Sequence, residues 1–254
     1  MRPRPVYPRL AAADKRALLQ GIVERCAAVA REKAGPPVVV FDLDGTLMDN
    51  RPRTRAILSE LADRWQATAP DVSARLRGAE PERLAYHFKD SLEILGVTDK
   101  AQIAEAFAFW KERFFSDEPL RHDIQVPGGS VFARACYDAG ASLMYLTGRD
   151  LPLMGLGTFG SLRDLGFPIG VPGTELVLKP DPAMPDADFK RLEAPKIARV
   201  GKVVASFDNE PENCNIFLGR YPSAASVLID TQHLFGAPPL DPGVVVIADF
   251  AMGA

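Results

Sequence analysis

A chain of 254 residues with 47% hydrophobic and 25% charged side chains has room for one large globular domain, or one domain with a smaller insert. A net charge of −3 gives no general attraction to nucleic acid or to an anionic membrane. Three cysteines lie far apart without a C-x-x-C pair, which argues against a disulfide framework or a zinc site. We find no signal peptide or bilayer-spanning apolar run and expect a cytoplasmic protein, and the sequence says nothing about its oligomeric state.

The first predicted strand ends in two carboxylates. Apolar residues at helical spacing predict an N-terminal helix over residues 14–34, and the β-branched run at 37–40 predicts a strand buried on both faces. Asp42 and Asp44 follow directly, and Gly45 lets the chain turn. Ligands bind at the carboxyl ends of strands in open α/β sheets, so we expect a cation or a shared proton to offset the repulsion between these acids. The alternative, a simple surface turn, fits the Asp and Gly residues but not the buried strand before them.

Residues 50–125 change character and are predicted to form a helical insert. Three amphipathic stripes carry this prediction, at residues 57–65, 84–95 and 103–114, and no strand alternation competes with them. Arg51, at the start of the insert with Arg53 and Arg55, could meet an anionic substrate. The alternative is that these arginines lie on a solvated helix face.

A second buried strand is predicted at residues 143–146 and ends in a Thr-Gly turn. The hydroxyl of Thr147 can reach the carboxylates of the first strand and donate to a phosphoryl oxygen. Gly148 lets the backbone approach and adds an N–H donor, so we assign Gly148 and Arg149 to substrate binding.

The remaining chain alternates predicted strands and helices. Strands are expected at residues 174–178, 202–207, 227–229 and 244–247, which predicts a doubly wound, mainly parallel, Rossmann-like α/β sheet. Lys179 follows the third strand, Lys190 lies at the start of the next helix, and Asp208 and Glu212 follow the fourth strand. Acids, a hydroxyl and a lysine at strand ends are what phosphoryl transfer by a carboxylate needs, and oxygen ligands favour Mg²⁺ over zinc.

These stretches resemble the four motifs of the haloacid dehalogenase (HAD) superfamily, whose first motif is D-x-D-G-T after a strand. The resemblance implies an α/β core at residues 1–49 and 126–254, and a C1-type helical cap at residues 50–125 that closes over the site and selects substrate. It also implies a nucleophile at Asp42, a general acid/base at Asp44 whose carbonyl ligates Mg²⁺, a phosphate-binding hydroxyl at Thr147 and a third metal ligand at Asp208.

Two parts of this resemblance stay open. Lys179 and Lys190 both match the third-motif lysine by their positions, with Lys190 slightly preferred. The fourth motif departs from the family pattern, because Phe207 replaces a glycine and Glu212 stands where a second Asp is expected. Either Glu212 or Asn209 could then assist the metal or the lysine.

The expected function is therefore Mg²⁺-dependent hydrolysis of a small phosphorylated metabolite through an aspartyl-phosphate on Asp42. A phosphotransferase or mutase would share the same catalytic residues, and a non-catalytic binding or regulatory module would keep only the fold. A dehalogenase does not need the second acid, Asp44.

Overall fold

The computed structural model describes residues 6–253, which fold around a six-stranded, all-parallel sheet in the order β5-β4-β1-β6-β7-β8. Two further short strands, β2 and β3, pair antiparallel in a separate ribbon. The strands are β1 (Pro37–Phe41), β2 (Met48–Asp49), β3 (Ile124–Gln125), β4 (Ser142–Asp150), β5 (Thr174–Lys179), β6 (Lys202–Asp208), β7 (Ala225–Ile229) and β8 (Val245–Ile247). The predicted doubly wound parallel α/β fold is confirmed.

Helices cover both faces of the sheet and also fill the segment between β2 and β3. They are α1 (Ala12–Glu32), α2 (Arg51–Trp65), α3 (Pro70–Arg77), α4 (Phe88–Ile94), α5 (Lys100–Phe114), α6 (Gly129–Asp138), α7 (Leu151–Asp164), α8 (Asp186–Ile197) and α9 (Pro211–Arg220). In the described part of the chain, none of these helices has the length and hydropathy needed to cross a bilayer.

Strand β1 is buried on both faces because it lies in the middle of the sheet. Val39 and Phe41 join the apolar cluster formed with α1 and α6, while Val38 and Val40 join the cluster formed with α8 and α9. The Phe41 ring stacks on Phe207 of β6, with 5.1 Å between centroids. The β-branched run seen in the sequence therefore fixes the end of β1 within a tightly packed core.

Residues 51–122, which we call the helical insert, have an apolar cluster of their own built on Leu61, Leu92 and Phe109. The insert contains α2–α5 and two 3₁₀ turns, Pro81–Arg83 and Glu118–His122. The stripe predicted at 84–95 gives only the short α4, since the backbone is extended at its first residues. Helix α3 begins at Pro70, a residue suited to the first turn of a helix.

One glycine of α7, Gly157, is explained by its contact with the helical insert. A Cβ on Gly157 would lie 2.3 Å from the carbonyl oxygen of Asp117, and the Gly157 amide donates to the Asp117 carboxylate at 2.6 Å. One helix turn later, the Ser161 hydroxyl donates to the carbonyl of Leu120 at 2.9 Å. Helix α7 thus fixes the end of the insert against the core.

Candidate active site

Asp42 and Asp208 converge on one buried lysine at the carboxyl ends of β1 and β6. These strands are neighbours, and Phe41 pairs with Phe207 just before the two acids. Lys190, on α8, donates from Nζ to Asp42 Oδ1 at 2.8 Å and to Asp208 Oδ2 at 2.7 Å. Only 1% of Lys190 is exposed, so the ion pairs are shielded from solvent. Carboxylates that are 166 positions apart in the sequence therefore share one cation.

Two residues missed in the sequence complete this cluster. Asp186 Oδ2 lies 3.3 Å from Lys190 Nζ, and Asn213 Nδ2 donates to Asp186 Oδ2 at 3.0 Å and to Asp208 Oδ1 at 3.2 Å. The positions of both residues along their helices could have identified them from the sequence. Asp186 is four residues before Lys190 on α8, and Asn213 shares the buried face of α9 with Phe217.

Electrostatics in the cluster favour added positive charge. Burial raises the pKa of Asp42, and the neighbouring carboxylates of Asp208 and Asp186 add to this against the opposing effect of Lys190. Burial likewise raises the pKa of Asp208. Burial disfavours the charged lysine, but the three carboxylates outweigh it and raise the pKa of Lys190. Three carboxylates around a single ammonium therefore give the cluster an excess of negative charge.

The donor set fits a hard divalent cation. Its donors are oxygen atoms, and Asp186 Oδ1 is buried with no hydrogen-bond partner among the described residues. Within residues 6–253, no three His, Cys, Asp or Glu side chains are grouped so as to hold a metal by themselves. This is compatible with Mg²⁺, which often uses one or two carboxylates together with water and substrate phosphate.

Thr147 and Gly148 lie one strand away from Asp42, and β4 continues through them to Asp150 instead of ending in the predicted Thr-Gly turn. Thr147 is 1% exposed, and it follows by two residues the position on β4 that pairs with Phe41. A Cβ on Gly148 would lie 2.4 Å from Asp186 Oδ1. A larger residue at position 148 would therefore displace the Asp186 carboxylate, which lies close to the backbone there.

Asp44 belongs to a second ion network beside this cluster. Arg149 donates to it through two nitrogens, at 2.8 and 2.9 Å, and Arg53 donates at 2.6 Å. Burial opposes ionisation, but the two guanidinium groups outweigh it and hold the pKa of Asp44 well below its usual range. Arg149, assigned to substrate binding from the sequence, instead has its guanidinium committed to Asp44 and to Asp123.

The structure separates three other predicted residues from the cluster. Lys179 donates to the carbonyl of Met184, so of the two candidate lysines only Lys190 reaches Asp42. Glu212 lies on the outer side of α9 and accepts from Arg191. Arg51 is held by the carboxylate of Asp49, which it contacts at 2.6 Å. Asn209, the alternative to Glu212, donates to the carbonyl of Gln232 and accepts from Thr46.

The helical insert reaches the rim of the site through Tyr86, which the sequence did not single out. The Tyr86 side chain interacts with the Glu210 carboxyl, two residues after Asp208. Burial, with a further contribution from Asp208, raises the pKa of Glu210 to about 7. The nearby Gln232 amide donates to the Leu84 carbonyl at 2.7 Å, so insert and core also meet beside Tyr86.

No protein-family model matches the chain, and no curated protein matches it. Solved structures are similar over most of its length at low identity. A presumed phosphatase from Clostridium difficile is 14% identical, with 81% of this chain and 90% of that chain covered and a TM-score of 0.49. A predicted phosphatase from Clostridium acetobutylicum is 15% identical, with 84% and 94% covered and a TM-score of 0.47. CbbY from Rhodobacter sphaeroides in complex with phosphate is 16% identical, with 84% and 94% covered and a TM-score of 0.46.

Proposed function

We propose that this protein is a HAD-like phosphohydrolase that cleaves a small phosphomonoester through a covalent intermediate on Asp42. The observation that carries the proposal is the convergence of Asp42 and Asp208 on buried Lys190 at the carboxyl edge of the sheet. Thr147 lies beside them on the neighbouring strand. A nucleophilic acid, a cation for the phosphoryl oxygens and a hydroxyl donor are the groups that carboxylate-based phosphoryl transfer requires.

In this mechanism, one Asp42 oxygen attacks phosphorus while the bond from phosphorus to the leaving oxygen breaks. Lys190 holds Asp42 Oδ1, which leaves Oδ2 for the attack. Asp44 gives a proton to the leaving oxygen and then takes one from the water that attacks the aspartyl-phosphate, releasing phosphate. The arginines that keep Asp44 ionised suit its role as base. Its role as acid requires that the Asp44 carboxyl first take up a proton.

Asp42 and Asp208 are the side chains that would hold Mg²⁺, with the Asp44 carbonyl as the further ligand that the HAD resemblance implies. The ion would supply positive charge to the phosphoryl oxygens and offset the excess of carboxylates in the cluster. Asp186 and Asn213 keep Lys190 and Asp208 in position. We further propose that the helical insert acts as a cap that selects the substrate, and that the protein works in the cytoplasm.

Hydrolysis of a broad panel of phosphomonoesters with and without Mg²⁺ tests this function. Asp42→Asn should lose about 10³-fold or more in kcat, because it removes the nucleophile. Asp188→Asn is the matched control, since Asp188 lies on the same helix as Lys190 but is exposed and paired with Arg191. Inactivity of the wild type across the panel, or full activity of Asp42→Asn, would refute the proposal.

A further inference from the structure

We propose that Arg53, on the first helix of the insert, is a positioning residue for Asp44, with Asp123 as its counter-charge. This inference rests on the proposed function, because it concerns the orientation of the acid/base. Neither Arg53 nor Asp123 lies in a motif that pointed to the site, and 70 positions separate them in the sequence.

Arg53 is completely buried and every nitrogen of its guanidinium has a partner. Nε and Nη2 donate to the two carboxylate oxygens of Asp123 at 2.8 and 2.7 Å. Nη2 also donates to Asp44 Oδ1 at 2.6 Å, and Nη1 donates to the carbonyl of Phe114 at 3.3 Å. The guanidinium lies 4.3 Å from the centroid of the Phe114 ring. Only the planar fork of arginine can make this set of contacts.

Asp44, Asp123, Arg53 and Arg149 form a closed, charge-balanced ring. Each guanidinium contacts both carboxylates, since Arg149 Nη2 donates to Asp44 at 2.9 Å and to Asp123 at 2.7 Å. Asp123, Arg53 and Arg149 have almost no exposed side-chain surface, whereas 29% of the Asp44 side chain is exposed. Asp44 is therefore the member of the ring that can meet a substrate, and the other three form its rigid support.

The ring explains how a helix of the insert controls the acid. Arg149 is shared between two carboxylates, and Arg53 supplies the second positive charge that lets both be satisfied. Without Arg53, Asp123 would compete for Arg149 and draw its guanidinium away from Asp44. Asp44 would then lose its fixed orientation, although the chain would still carry every catalytic residue. Removing Asp123 as well would end the competition and return Arg149 to Asp44.

This reasoning is tested with Arg53→Met and with the double variant Arg53→Met/Asp123→Asn. Each is assayed on an alkyl phosphate, whose leaving oxygen needs a proton, and on p-nitrophenyl phosphate, whose leaving group needs none. For Arg53→Met we expect kcat to fall at least about 10-fold more on the alkyl phosphate, with KM unchanged within about two-fold, because general acid catalysis is worth about 10²–10⁴-fold. The double variant should restore most of the wild-type ratio of kcat on the alkyl phosphate to kcat on p-nitrophenyl phosphate.

Arg113→Met is the matched control. Arg113 also makes a two-nitrogen contact with a carboxylate in the insert, Glu60, but it does not touch Asp44. Its variant should keep the wild-type ratio of kcat on the two substrates. Equal losses on both substrates in Arg53→Met, or a double variant no better than the single one, would overturn the proposal.

Two further measurements keep the test decisive. If Arg53→Met does not fold, Arg53→Lys replaces it, because lysine keeps the charge but not the fork; an unchanged ratio there also overturns the proposal. If the wild type hydrolyses neither substrate, the proposed function fails, and a crystal structure of Arg53→Met decides the positioning role alone. Movement of Arg149 towards Asp123 supports it, and an unmoved Arg149–Asp44 pair refutes it.

Discussion

Replacing Lys190 by methionine tests the electrostatic design of the site, because Lys190 is the ammonium around which Asp42, Asp186 and Asp208 gather. Methionine keeps most of the volume and removes the charge. Breaking a buried ion pair from one side typically costs about 3–5 kcal/mol of unfolding free energy, since the remaining charges are left buried and uncompensated. We expect a loss in this range at pH 8.

The size of this loss should depend on pH in a definite direction. The pKa values of Asp42 and Asp208 are already raised in the folded protein, and losing the ammonium raises them further. The folded variant then binds more protons than the unfolded chain, so its stability increases as the pH falls. The difference from wild type should shrink between pH 8 and pH 5, by about 1.4 kcal/mol for each unit of additional pKa shift.

Lys179→Met is the matched control, because Lys179 makes a single hydrogen bond to a backbone carbonyl. Its loss should be about 1 kcal/mol and nearly independent of pH over this range. Urea unfolding of both variants and the wild type, followed by fluorescence at pH 5 and pH 8, gives the comparison. Equal losses for the two lysines, or a Lys190→Met penalty that grows on acidification, would refute the reasoning.

Two more predictions concern the surroundings of the cluster. The pKa of Glu210 is raised from 4.5 to about 7, so the metal-free wild type should lose up to about 3 kcal/mol of stability as the pH rises through that interval. In urea unfolding, Glu210→Gln should remove this dependence of stability on pH, and the control Glu212→Gln should keep it. Gly148→Ala should lower the free energy of unfolding by about 1–3 kcal/mol and remove most activity, because the new methyl group meets Asp186. The control Gly160→Ala should raise the thermal midpoint slightly, since a Cβ there meets nothing within 4 Å. A Gly148→Ala variant with wild-type stability and activity would contradict the close approach of the Asp186 carboxylate.

Local sequence patterns were enough to predict the sheet. The β-branched run before Asp42 predicted a strand buried on both faces, and the alternation of strands and helices left few arrangements other than a parallel, doubly wound sheet. The helix predicted from the stripe at residues 103–114 is α5, and the Asp99 side chain caps it by accepting from the Gln102 amide. In both cases, the deciding interactions lie within a few residues of the pattern.

The composition of the site was less predictable, because long side chains and helix phase decide it. Lys190 reaches Asp42 across the edge of the sheet from α8, and no spacing in the sequence separates it from Lys179. The helical phase of the sequence contains part of this information. Arg53 falls on the buried stripe of α2 with Ile57 and Leu61, and it is therefore the inward-facing arginine at the start of the insert.

The contact of Gly157 with Asp117 limits how this architecture can be re-engineered. A chimera could exchange residues 51–122 for the insert of another protein. The new insert would need a backbone segment that packs as close to Gly157 of α7 as Asp117 does, where no Cβ fits. It would also have to place a guanidinium at the position of Arg53. Without it, Asp44 and Asp123 would compete for the guanidinium of Arg149. Transplanting a new specificity into this scaffold is therefore a problem of matching two fixed attachment points before any substrate contact is chosen.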